Sequence, residues 1–236
     1  AAVLCYGIIA KPLSYKPDAE AINILQKNGF SARANGLAGS YYVFRPEQSE
    51  DTKKGFIFYP GGLVDPRAYA PLMRDIARQG YLSVIVSMPA DLAVLGAERA
   101  ADIIAMYPAV TGWAIGGHSL GGAMACRFAR KHPDMVKGVV LWASYPSATF
   151  SLAATSLPAI SIFGTSDGFA TPEKIEKSKK DLPPETQFIA ITGGNHTQFG
   201  WYGNGKPQHG DLPAGISRLL QQKIIVQNTV NFMERL

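Results

Sequence analysis

Short apolar runs recur along the chain at residues 56–59, 82–86, 113–115, 139–142, 159–163 and 188–191, each β-branched or aromatic and bounded by Gly, Pro or Ser. Runs of this length without polar alternation suit strands buried on both faces, the environment of a parallel sheet. Amphipathic stretches lie between them. Residues 65–80 open on an acid, carry an apolar stripe of Tyr69, Leu72, Met73, Ile76 and Ala77, and close on Gly80, as a helix does. Thr171 before Pro172 supplies an N-cap and a first helical position for 172–180, and 218–235 reads as a long closing helix. Strands alternating with helices predict a mostly parallel central sheet with helices on both faces. One further run, 41–44, precedes any crossover helix and should join the sheet antiparallel, as an edge hairpin.

A chain of 236 residues fits one α/β domain over 1–236, with 1–37 as a peripheral N-terminal arm. It is long enough to bury roughly 70% of its unfolded surface without a disulfide or metal staple. The net charge of +5 raises the question of nucleic acid. The densest basic run, however, interleaves Lys174, Lys177, Lys179 and Lys180 with Glu173, Glu176 and Asp181, the pattern of a solvated helix face, so nucleic acid is not an expected partner. Cys5 and Cys126 read as small buried hydrophobes rather than a disulfide. No apolar run reaches the ~18 residues of a membrane span. The first ten residues are apolar and lack an initiator Met, which suits either a buried arm or the stump of a removed signal or anchor.

Chemistry enters at Gly117-His118-Ser119-Leu120-Gly121, a G-x-S-x-G pattern. The string alone is weak, but it follows an apolar strand and opens an Ala-rich helix, the setting a nucleophile elbow requires. Side chains at Gly117 and Gly121 would there collide with the neighbouring strand and helix. Ser119 would project above the carboxyl edge of the sheet, and the Leu120 N–H at the helix start would face a developing oxyanion.

A serine of this kind needs a base and an orienting acid, in the order Ser, acid, His. The 159–163 run ends in Gly164-Thr-Ser-Asp167-Gly168, and the 188–191 run ends in Gly193-Gly-Asn-His196. Of the four histidines, His118 adjoins the elbow and should point away from Ser119, while His132 and His209 sit in a turn and a polar loop. His196 is therefore the candidate base and Asp167 the candidate acid; Asp181 and Glu185 fall at the wrong edge of the sheet. Asp167 also suits an Asx turn before Gly168. The loop after 56–59 reads Tyr59-Pro60-Gly61-Gly62-Leu63, where paired glycines allow close backbone approach. Gly62 is the first choice for the second oxyanion donor and Leu63 the second.

These motifs resemble those of the α/β-hydrolase superfamily, specifically its small bacterial single-domain members of the carboxylesterase and dienelactone-hydrolase-like kind. The resemblance rests on Tyr-Pro-Gly-Gly62, Gly-Gly-His-Ser119-Leu-Gly-Gly, Gly-Thr-Ser-Asp167-Gly and Gly-Gly-Asn-His196, and covers 41 to the C-terminus. It implies an α/β-hydrolase fold and a Ser-His-Asp triad cleaving a small-molecule ester through an acyl-enzyme. Dienelactone hydrolases carry Cys where this chain has Ser119, a departure that touches substrate rather than chemistry. Many relatives of this type have an N-terminal membrane anchor, which fits the apolar start and favours an extracytoplasmic or membrane-anchored bacterial location over a cytoplasmic one. Neither metal nor cofactor is expected.

Lids in such folds are inserted after the strand following the elbow helix. Here that segment, 144–157, is about fourteen residues long, too short for a large cap domain. An open site favours short acyl chains, with Tyr145, Phe199, Trp201 and Tyr202 as candidate walls. Acyl transfer, perhydrolysis or amide cleavage would use the same triad, and a lipase would need a mobile lid. A non-enzymatic binding scaffold would have no need of nucleophile, base and acid at three strand ends.

Overall fold

The computed structural model describes residues 14–26, 31–36, 39–47 and 52–236. In chain order its regular elements are α1 (Ala19–Gln26), β1 (Ser31–Gly36), β2 (Gly39–Phe44), β3 (Lys54–Tyr59), α2 (Ala70–Arg78), β4 (Leu82–Val86), α3 (Arg99–Met106), β5 (Gly112–His118), α4 (Leu120–Lys131), β6 (Gly138–Trp142), β7 (Ala159–Gly164), α5 (Pro172–Ser178), β8 (Gln187–Ile191) and α6 (Arg218–Met233). The strands form one eight-stranded sheet in the order β1-β2-β4-β3-β5-β6-β7-β8. Every pairing from β4 to β8 is parallel. Strand β2 pairs antiparallel with β4 on one side and β1 on the other. The antiparallel hairpin expected at the sheet margin is there, but 41–44 is its inner strand and β1 forms the edge.

Burial follows the composition of the runs. All five residues of β4 and of β6 are buried, as their mostly apolar sequences suggest, Ser83 being the one polar side chain among them. Successive side chains of β3 alternate between faces. Ile57 and Tyr59 join a core with Ile103 of α3 and Phe128 of α4, while Phe56 and Phe58 join a second core with Leu72 and Ile76 of α2 and Ile225 of α6. Helices therefore cover both faces, as predicted.

Local signals account for the helix boundaries. The Asp65 side chain accepts the Arg67 N–H and starts a 3₁₀ turn, Pro66–Tyr69, that runs straight into α2. Thr171 caps α5 by accepting from the Lys174 N–H, and Ser217 caps α6 through the Leu220 N–H. The 144–157 segment holds a single 3₁₀ turn, Ala148–Phe150, rather than a cap.

Within the stretch read as a peripheral arm, residues 14–18 are laced onto two loops at the carboxyl edge of the sheet. The Tyr15 N–H donates to Leu63 O at 2.8 Å, the Asp65 N–H returns to Tyr15 O at 3.1 Å, and the Asp18 N–H donates to Trp201 O at 2.8 Å. The apolar start, with Cys5, lies outside the described residues. Among the described residues no helix is long and apolar enough to cross a membrane.

Candidate active site

The strand order sets β3, β5, β6, β7 and β8 side by side, so the loops leaving their carboxyl ends converge on one place. Ser119 occupies the one-residue turn between β5 and α4 with φ 52° and ψ −123°. A non-glycine residue in this region costs on the order of 1–3 kcal/mol, and the surroundings hold it there. Its N–H donates to Trp142 O at 3.0 Å, and its carbonyl accepts the Ser144 hydroxyl at 2.6 Å. A Cβ on Gly121 would lie 2.1 Å from Tyr59 O, and one on Gly117 would lie 2.5 Å from the Gly121 carbonyl carbon. Both glycines of the motif are thus demanded by the approach of strand to helix.

His196 and Asp167 arrive from the ends of β8 and β7. His196 Nδ1 lies 2.8 Å from Asp167 Oδ2, and their side chains are 3% and 0% exposed. The other carboxylate oxygen, Oδ1, accepts the N–H groups of Phe169 at 2.8 Å and Ala170 at 2.7 Å. The Asx-turn role and the pairing with histidine therefore coexist in one carboxylate. An ionised carboxylate only accepts, so Nδ1 carries the proton and the Nε2 lone pair stays available. Ser119 and His196 line a common cavity of about 290 Å³ together with Leu120, Ala123, Ala143 and Phe169.

A Cβ at Gly62 would touch the Leu120 side chain at 3.1 Å, which puts the glycine loop against the start of α4. The Gly62 N–H has no hydrogen-bond partner among the described residues. The Leu120 N–H is at the first turn of α4, where no intrahelical acceptor exists. Leu63, the second choice of donor, is corrected: its N–H is spent on Asp91 O at 2.8 Å.

Of the expected walls, Tyr145 lines the cavity and the others do not. Phe199 is fully buried and stacks on His118, with ring centroids 5.5 Å apart. Trp201 faces a separate groove between α1, α2 and α6, where its indole N–H donates to Gln222 Oε1 and Arg218 lies over its ring. Tyr202 is core. Closeness to His196 in sequence misplaced all three, because the 3₁₀ turn Thr197–Phe199 leads the chain away from the cavity, Phe199 and Tyr202 into the core and Trp201 to the separate groove. Phe169, its ring centroid 5.0 Å from that of His196, is the aromatic wall the sequence did not reveal.

The remaining histidines keep away from Ser119. His132 pairs with Glu98 at 2.8 Å on the surface, and His209 is exposed. His118 is buried, and its affinity for a proton is pushed well below the usual histidine range, first by burial and then by the adjacent His196. Among the described residues no cluster of three or more His, Cys, Asp or Glu could hold a metal.

The sequence from 55 to 223 matches the model of the alpha/beta hydrolase family, which is more than two thirds of the chain. The chain belongs to that family. This α/β-hydrolase is thereby a hydrolase with a single small α/β domain. No curated protein matches it in sequence. Its fold is similar to that of TT1662 from Thermus thermophilus, at 16% identity, a TM-score of 0.65 and coverage of 87% of this chain and 96% of that one. It is also similar to Est1E from Butyrivibrio proteoclasticus, at 10% identity, TM-score 0.66 and coverage of 87% and 100%. An alpha-beta serine hydrolase homologue from Coxiella burnetii aligns at 15% identity, TM-score 0.60 and coverage of 86% and 98%.

Proposed function

We propose that this α/β-hydrolase cleaves short-chain carboxylic esters through an acyl-enzyme on Ser119. The observation that carries the reading is the buried His196–Asp167 pair, 2.8 Å apart, opening onto the same cavity as the strained Ser119. Ser119 Oγ attacks the ester carbonyl while His196 Nε2 takes its proton, and Asp167 holds the imidazole in the required tautomer. The oxyanion is received by the N–H groups of Leu120 and Gly62, each worth on the order of 2–4 kcal/mol. His196 then protonates the departing alcohol. Water repeats the sequence on the acyl-enzyme, giving up its proton to His196 and restoring Ser119 as the acid leaves.

Cavity size supports the acyl preference. A floor of Ala123, Ala143 and Ala170 leaves room beside Ser119, but the whole space is about 290 Å³ and no inserted cap extends it. Each buried methylene contributes up to ~0.8 kcal/mol until the space is filled, after which the chain protrudes and gains nothing. Rates on p-nitrophenyl esters should therefore peak at about C2 to C4 and fall by C8. A maximum at C10 or longer, or activation at a lipid interface, would overturn this in favour of a lipase. With hydroxylamine present, acyl transfer to that amine in preference to water would overturn hydrolysis as the natural outcome.

A further inference from the structure

A second buried imidazole lies directly behind the first. The ring centroid of His118 is 4.4 Å from that of His196, with 44° between the planes, and the same ring stacks on Phe199. His118 Nδ1 lies 2.8 Å from the Tyr69 hydroxyl, and that hydroxyl accepts the Gly61 N–H at 3.0 Å. Both side chains are buried. One chain of hydrogen bonds thus runs from the glycine loop to the ring that backs the candidate base.

The polarity of this chain follows from the groups in it. A backbone N–H can only donate, so the Tyr69 oxygen accepts from Gly61, and His118 Nδ1 is the one acceptor among the described residues for the hydroxyl's own proton. Nδ1 must then be the acceptor, which places the imidazole proton on Nε2. That nitrogen is buried and has no partner at close hydrogen-bond geometry, the His196 backbone being the one group beside the ring that favours its protonation. The loop is closed tightly on the pair: a Cβ at Gly61 would lie 2.7 Å from His118 Nδ1 and 2.9 Å from the Tyr69 hydroxyl. Gly61 donates to Tyr69 and Leu63 donates to Asp91, which leaves Gly62 between them with its N–H uncommitted.

We propose that Tyr69 and His118 are positioning residues that set the oxyanion loop and the His196 imidazole in one register, Tyr69 by anchoring Gly61 so that Gly62 presents its N–H, and His118 by backing His196 with a neutral ring. The proposal rests on the esterase reading above. Its electrostatic side is consistent with burial. When His196 becomes imidazolium during the attack, it faces an uncharged ring rather than a like charge that would raise the barrier.

The test combines a spectroscopic and a kinetic readout. In ¹⁵N-histidine-labelled protein, His118 should appear as the neutral Nε2–H tautomer at pH 8 and remain so below the ordinary histidine value of about 6.5. Tyr69→Phe, which removes only the hydroxyl, should release that tautomer preference. A parent His118 that is protonated, or neutral with its proton on Nδ1, overturns the relay whether or not the protein is an esterase. On p-nitrophenyl acetate, Tyr69→Phe should lower kcat roughly tenfold to a hundredfold, with KM changed by less than about twofold. His118→Gln keeps an acceptor oxygen in the buried site and should retain more activity than His118→Phe. The double variant Tyr69→Phe/His118→Phe should be no worse than the poorer single variant, because the two groups act through one chain. Losses that multiply, or a rise in KM with kcat intact, overturn the proposal. If the parent shows the expected tautomer and no esterase activity, the catalytic reading fails and the hydrogen-bond chain stands.

Discussion

The Asp211 carboxylate holds the main chain of His196: Oδ1 accepts the His196 N–H at 3.3 Å and the Gly168 N–H at 3.0 Å. Its other oxygen takes both the N–H of Thr197 at 2.8 Å and its hydroxyl at 2.7 Å. One side chain therefore fastens the loop carrying the candidate base to the residue that follows the candidate acid, Asp167. Asn195 is held in turn by Gln221 of α6, which accepts its N–H at 3.1 Å and donates to its carbonyl at 2.8 Å.

Removing that clamp should be costly. Hydrogen bonds to an ionised group are worth roughly 1.5–3 kcal/mol each, and several backbone donors would lose their acceptor at once. Asp211→Ala is expected to lower unfolding stability by about 2–4 kcal/mol and kcat/KM by about tenfold or more, with Asp211→Asn intermediate. Urea titration and steady-state kinetics measure both. Changes within about 0.5 kcal/mol would show that the clamp is idle.

Gly121 at the elbow differs from Gly112 at the start of β5 in what surrounds it. A methyl at Gly121 would meet Tyr59 O and Pro60 O, both backbone atoms that cannot swing aside, whereas one at Gly112 would meet only Lys53 O at 3.5 Å. Gly121→Ala should cost roughly 1–3 kcal/mol or abolish folding, while Gly112→Ala stays within about 0.5 kcal/mol. Thermal melts of the two variants give the comparison, and equal midpoints would contradict it.

His118 also makes stability depend on pH. Burial, followed by the adjacent His196, holds its folded value well below the ordinary 6.5, so unfolding below that pH takes up a proton. Its contribution is complete above about pH 6.5 and is lost as pH falls toward the folded value, with a limiting slope of about 1.4 kcal/mol per pH unit. Denaturant melts from pH 7 to pH 4 should show a shallower acid decline in His118→Phe than in the parent. Identical slopes would contradict a buried neutral imidazole.

Cys126 lies within α4, fully buried, and burial pushes its thiol far above the usual range. It should resist iodoacetamide at pH 8 in the native protein and react once unfolded. Peptide mapping locates the label; rapid native alkylation at Cys126 would contradict the packing of α4 on the sheet.

Much of this was legible in the chain because it is enforced locally. β4 spans the same residues as its apolar run, and the elbow was readable because the crowding of strand on helix admits only glycine at 117 and 121. β1 was not readable: Ser31–Gly36 is small and polar, and it is a strand because β2 pairs with it, not through its own propensity. Asp211 gave no signal either, since it reaches the site from a coil segment with no periodicity. The contact of Tyr69 with His118 is set by the strand order, which places α2 and the end of β5 on one side of the sheet. Such relationships belong to the tertiary fold, and no local pattern carries them.

The central claim is that Ser119 is the nucleophile, activated by His196. Incubating the native protein with a fluorophosphonate probe and mapping the adduct by mass spectrometry tests it most directly. Stoichiometric modification of Ser119 is expected, abolished in Ser119→Ala and slowed by roughly 10³-fold or more in His196→Ala, with His132→Ala labelling like the parent. An unlabelled Ser119 in folded protein, or labelling that survives Ser119→Ala at the same rate, would contradict it.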